Sequence, residues 1–262
     1  MATVFAIANQ KGGVGKTTTS ANLAASLAAT RRNVLLIDLD PQGNATMGCG
    51  VDKRQLELSS YDVLMGNASV EEAVQRLPEL GLDLLPANAD LTGAEVGLLE
   101  ELGRELRLKL ALEPVKARYS HIIIDCPPSL NMLTVNALVA AEALIVPTQC
   151  EYYALEGISA LVDTVEKIRK ILNPALRIEG FLRTMYDPRN NLANQVSQQL
   201  VKHFGDRVYR TIIPRNVRLA EAPSHGLPAL LYDKSSAGAL AYLALAGEML
   251  RKDDAERLAA GS

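Results

Sequence analysis

Apolar positions in this chain alternate between two rhythms along its length. Short, nearly unbroken apolar runs at residues 4–8, 33–37, 82–86, 121–124, 143–148, 178–185 and 208–213 read as buried strands. Between them, apolar residues recur every three or four positions. Leu23 and Leu27 mark a helix over 16–28, and Ile158, Leu161, Val162, Val165, Ile168 and Leu172 mark a strongly amphipathic one that Asn173-Pro174 stops. Further helices are expected over 131–141 and 192–204. Ser69-x-x-Glu72 reads as a capping box that opens a short helix through Leu77. Thr92-x-x-Glu95 reads as a second, opening a long helix whose stripe of Leu98, Leu99, Leu102, Leu106 and Leu110 is core packing.

Strand and helix in turn, with no linker and no repeat, predict an α/β fold. It is a single doubly wound, mostly parallel twisted sheet with helices on both faces. One domain over residues 1–250 and a polar tail over 251–262 account for the chain. A strand that begins almost at Met1 is expected to leave no room for a leader segment. The longest apolar run, residues 137–146, is too short to span a bilayer and contains Glu142. Cys49, Cys126 and Cys150 lie far apart, so neither a disulfide framework nor a zinc site is expected. His121, His203 and His225 share no metal-ligand spacing.

Candidate chemistry gathers at the ends of the strands. The stretch Lys11-Gly12-Gly13-Val14-Gly15-Lys16-Thr17-Thr18 leads from the first strand into the start of the first helix. Glycines let successive backbone N–H groups converge on an anion, and the helix start adds its positive dipole end. Lys16 offers a mobile charge to terminal phosphates, and the Thr17 hydroxyl suits Mg²⁺. Asp125 ends a buried strand and suits hydrogen bonds from Mg²⁺-bound water. Asp38 and Asp40 end another, and taken alone could equally serve the turn before Pro41. From Arg177 to Arg218, eight basic residues stand against three acidic ones in a chain of net charge −3, a local patch suited to a polyanion. Trp is absent and aromatics are few, so duplex phosphate contact is favoured over base stacking.

The loop string resembles the deviant P-loop of the ParA/MinD superfamily, whose extra lysine, here Lys11, reaches across a dimer interface to the partner's nucleotide. Asp38-Leu39-Asp40-Pro41-Gln42-Gly43-Asn44 resembles that family's first switch, which implies that Asp40 orients the attacking water beside the metal. Asp38 would then be a supporting or Mg²⁺-side carboxylate. Asp125-Cys126-Pro127-Pro128 resembles its second switch. Pro214-Arg215-Asn216 is similar to the adenine-side loop, which implies base contacts from Pro214 and Asn216. Asp187-Pro188-Arg189 and Asn216-Val217-Arg218 resemble DNA-contacting regions of chromosomal ParA (Soj-type) proteins.

The resemblance therefore implies a Mg²⁺-dependent partition ATPase in the cytoplasm, associated with the nucleoid. ATP would close a homodimer that binds double-stranded DNA without sequence preference, through Arg189 and Arg218. A ParB-type centromere-binding protein would stimulate hydrolysis and release. The alternatives are a MinD-like positioning ATPase and a P-loop metabolic ligase or kinase. The polar residues at 252–262 are unsuited to anionic lipid, so no membrane partner is expected.

Overall fold

A computed structural model describes residues 2–260, with the backbone alone for 256–260. Its strands are β1 (Thr3–Ile7), β2 (Val34–Asp38), β3 (Gln75–Leu77), β4 (Leu82–Leu85), β5 (His121–Asp125), β6 (Ala143–Gln149), β7 (Arg177–Tyr186) and β8 (Val208–Pro214). They form one sheet in the order β3-β4-β2-β5-β1-β6-β7-β8. Every pairing is parallel except β3 with β4, an antiparallel edge. The doubly wound sheet expected from the apolar runs is therefore present.

The unbroken runs are explained by burial on both sides. Successive side chains of a strand point to opposite faces. Val4 and Ala6 of β1 enter one apolar core, whereas Phe5 and Ile7 enter the other. Leu35 and Ile37 of β2 likewise part company with Val34 and Leu36. Helices α1 (Lys16–Ala29) and α2 (Asn44–Gly48) lie on the Phe5 face. The Val4 face carries α3 (Ser60–Met65), α4 (Val70–Ala73), α5 (Leu91–Gly97), α6 (Arg107–Leu112), α7 (Met132–Ala140), α8 (Ala154–Ile171) and α9 (Asn191–Phe204). The chain returns to the Phe5 face with α10 (Val217–Glu221), α11 (Ala229–Tyr232) and α12 (Ala237–Ala260).

Three local expectations change. The long helix over 92–110 is broken into α5, two single 3₁₀ turns and α6. Gly97 ends α5, and Gly103 adopts the left-handed φ of 66° that no continuous helix contains. The helix starts at Asp90 without a side-chain cap, so Thr92 forms no capping box. The leucine stripe splits accordingly: Leu98 is buried, whereas Leu102 is 96% exposed and Leu99 and Leu110 also face solvent. The Ser69–Glu72 capping box does form, but α4 lasts only four residues before Val74 turns extended and β3 pairs with β4. Residues 251–260 of the expected polar tail are helical and continue α12, and residues 261 and 262 lie outside the described residues.

β1 connects leftwards to β2, while β5 connects across β1 to β6, so the strand order reverses beside β1. A crevice at the carboxyl ends of β1, β2 and β5 is the consequence, and doubly wound sheets bind their ligands there.

Candidate nucleotide site

The loop after β1 is shaped by backbone conformation first. Gly13 and Gly15 have φ of 72° and 86°, which a Cβ disfavours. A Cβ on Gly12 or Gly13 would meet nothing within 4 Å, so the loop presents an open face. The loop is also tied at three points. Asn9 accepts from the Lys11 N–H at 3.0 Å and donates to the Pro147 carbonyl at 2.8 Å. Thr184, from β7, donates to the Val14 carbonyl at 2.8 Å.

Helix α1 starts at Lys16 with Gly15 as its N-cap and no side chain capping it. Its first N–H groups are therefore left for an external acceptor. The buried Lys16 ammonium donates to the Lys11 carbonyl at 3.1 Å. Burial lowers its pKa, and the Asp125 carboxylate works against that. A desolvated ammonium held only by a carbonyl favours an anion as its next partner.

Asp38 and Asp125 stand opposite each other at the ends of β2 and β5, and both are fully buried. Burial raises both pKa values; the Asp38 carboxylate raises that of Asp125 further, and the Asp40 carboxylate that of Asp38. Their hydrogen bonding differs. Both Asp38 oxygens are engaged: Oδ1 accepts from the Asp40 N–H at 3.1 Å, and Oδ2 from the Thr46 N–H and hydroxyl at 2.8 and 2.7 Å. Asp125 Oδ1 accepts from the Ser20 hydroxyl at 2.8 Å; the nearby Thr17 hydroxyl also lowers the carboxyl's pKa, yet by distance and angle the buried Oδ2 has no hydrogen-bond partner among the described residues. An orphaned carboxylate oxygen beside the Thr17 and Ser20 hydroxyls suits a hydrated hard cation. Among the described residues, no group of three or more His, Cys, Asp or Glu could enclose a metal ion.

Asp40 is also buried, and its Oδ1 accepts from the Gln42 N–H at 2.9 Å. Lys11 lies beside the loop, ion-paired with Glu151, which follows β6. Pro214 and Asn216 line a cavity of about 160 Å³ with Thr18, Met185 and Tyr242. Asn216 Oδ1 is buried there without a partner, as an acceptor for a ligand N–H group would be.

The basic patch divides. Arg183 is buried and donates to Ser197 and to the carbonyls of Tyr209 and Arg210, so it is a packing residue. Arg189 is 88% exposed on the loop after β7 and forks onto Asp187 at 2.8 and 2.9 Å. That fork holds the Asp187 carboxyl down to about 2. Arg218, on α10, donates to Glu221 at 2.8 Å and lies 3.3 Å from Asp233. Sequence reasoning missed Asn9, Ser20, Thr46, Thr184 and Glu151, because ordinary polar residues acquire these roles only from their neighbours in space.

The AAA domain family matches residues 2–178. The sporulation initiation inhibitor protein Soj of Bacillus subtilis is 55% identical over 249 residues, covering 95% of this chain and 98% of its own length. The chromosome partitioning protein ParA of Caulobacter vibrioides is 54% identical, covering 95% of this chain and 94% of its own. A crystal structure of cobyrinic acid a,c-diamide synthase from Mycobacterium smegmatis with bound ADP and magnesium superposes with a TM-score of 0.84. It is 41% identical and covers 96% of this chain and 95% of that one.

Proposed function

The chain belongs to the ParA/Soj family of partition ATPases, and on that premise we propose that ATP closes two copies of it into a dimer that binds DNA. The observation that carries the nucleotide assignment is the uncapped start of α1 together with Asp125, which α1 meets through Ser20 and whose Oδ2 is left unpartnered. A triphosphate satisfies the first with its oxygens, and the hydrated cation it brings satisfies the second. Gly12, Gly13, Val14, Gly15, Thr17 and Thr18 supply backbone N–H groups and hydroxyls to the phosphates, and Lys16 supplies charge. Thr17 and, through water, Asp125 hold Mg²⁺, which when bound neutralises charge on the phosphate oxygens. Asp40 orients a water molecule for attack on the γ-phosphate, close to the cation. Pro214 and Asn216 meet the base.

In a single chain Glu151 holds Lys11. In the dimer Lys11 turns to the nucleotide of the second copy, where its charge offsets that developing on the phosphate. Arg189 and Arg218 contact duplex phosphates, placing the protein on the nucleoid in the cytoplasm. A ParB-type protein stimulates hydrolysis, and the dimer then falls apart. Among the described residues no helix is long and apolar enough to cross a membrane.

Light scattering and DNA anisotropy with ATP and Mg²⁺ test this reading on the wild type and on Asp40→Ala. Wild type should cycle, whereas Asp40→Ala should keep ATP, remain dimeric and stay on DNA. A monomeric Asp40→Ala protein with wild-type turnover would refute it. The likeness to the diamide synthase structure supports a second reading, an ATP-dependent amide ligase. Turnover that depends on a carboxylic acid and an amine donor, and is indifferent to DNA, would favour that one.

A further inference from the structure

We infer that the Gly50–Gly226 contact and the Asn22–Ala229 hydrogen bond position Arg218 according to what occupies the nucleotide site. The inference rests on the proposed reading of Arg218 as a DNA contact and assigns positioning residues to it.

Arg218 lies in a segment fastened at three places to elements that frame the site. At its start, Asn216 lines the base-side cavity and directly precedes α10. At its end, the buried Asn22 of α1 accepts from the Ala229 N–H at 2.7 Å and donates to the Thr18 carbonyl at 2.8 Å. Thr18 lies one turn earlier in the same helix, among the residues that face the phosphate site, so this one side chain ties the first turns of α1 to a position 207 residues away.

The middle fastening is to the switch. Helix α2 follows Asp40-Pro41-Gln42-Gly43 directly, and Gly50 lies just beyond its C-cap. Gly50 and Gly226 both have left-handed φ, 85° and 65°. Their backbones meet so closely that a Cβ on Gly226 would lie 2.7 Å from the Gly50 Cα. A Cβ on Gly50 would lie 3.0 Å from the Gly226 carbonyl oxygen. Backbone against backbone cannot yield as a flexible side chain can, so a shift of α2 passes to Gly226. Glu221 and Asp233 hold Arg218 on that same segment, so the guanidinium follows it.

The relay predicts a response that needs no DNA to detect. Hydrogen exchange over residues 217–229 of the wild type should slow by about fivefold or more when ATP and Mg²⁺ are added. Gly226→Ala should reduce that response to less than about twofold and weaken ATP-dependent DNA binding at least about tenfold, with ATP affinity by calorimetry retained. Gly103→Ala is the control, because its left-handed φ and ψ of 66° and 25° match the 65° and 27° of Gly226, with nothing within 4 Å of the new Cβ. It should behave as wild type. If Gly226→Ala does not fold, Asn22→Ala severs the other fastening and should give the same loss. Gly226→Ala matching Gly103→Ala in both assays would overturn the relay, as would a wild type with no exchange response. Arg218→Ala that still binds DNA, with the exchange response intact, would instead remove Arg218 from the DNA surface and leave the relay standing.

Discussion

Gly12→Val separates nucleotide binding from assembly. Gly12 differs from its neighbours Gly13 and Gly15 in lacking a left-handed φ, and a Cβ built on it meets nothing within 4 Å. A Cβ therefore enters the single chain without a clash and points into open space, so the melting temperature of the variant should stay close to wild type. ATP should bind within about threefold of wild type, corresponding to roughly 0.7 kcal/mol. A symmetric interface across this loop would meet two new isopropyl groups, one from each copy. Overpacking costs about 1–3 kcal/mol per site, so the dimer should weaken by roughly 2–6 kcal/mol, about 30-fold to 20,000-fold. Sedimentation equilibrium across a protein concentration series with ATP and Mg²⁺ measures the dimer constant directly. Dimerisation at the wild-type concentration dependence would show that no partner occupies the open face, and the role proposed for Lys11 across that face would fall with it.

Lys16→Ala should weaken ATP binding at least about tenfold, since charge-assisted hydrogen bonds contribute roughly 1.5–3 kcal/mol each. Unchanged calorimetric affinity would remove Lys16 from the site. Asp125→Asn tests the cost of the orphaned carboxylate in the ligand-free protein. Its folded pKa is raised by burial, so wild-type stability falls as pH climbs from the unfolded pKa through the folded one. The variant should thus gain in melting temperature relative to wild type between pH 5 and 8. The gain is about 3–5 °C for each unit by which the pKa is raised, and a flat difference would refute the assignment. If Arg189 and Arg218 each neutralise one phosphate, the dimer should show a log–log salt slope of about −3.6, and Arg218→Ala about −1.8, on any duplex. An unchanged slope in a fluorescent-DNA salt titration would return Arg218 to its acidic partners on the surface.

Much of this molecule is written locally in its sequence. All strands of the sheet but β3, whose Gln75-Arg76-Leu77 is no apolar run, follow from runs of apolar residues, because burial on both faces leaves no polar position for alternation to reveal. The phosphate loop follows from glycines whose φ other residues resist, and from a helix that begins where they end. Asp38 and Asp125 fall at strand ends, which the doubly wound arrangement makes the mouth of the crevice. These features depend on residues within a few positions of one another. What tertiary structure alone decided depends on distance in space. Only the packed sheet sets Asp38 and Asp125 opposite each other, occupies every oxygen of the first and leaves one oxygen of the second unpartnered. Lys11 finds Glu151 across 140 residues of sequence, and Asn22 finds Ala229 across 207. Leu98 and Leu102 look alike in a helical stripe, yet the turn at Gly103 helps bury one and expose the other. Arg183 and Arg189 count equally in a charge tally, and packing sends one inward to carbonyls and the other outward to solvent. Residue type sets what each group can bond to, but the fold sets which groups are within 3 Å of it, and short-range bonds and desolvation act only over that distance.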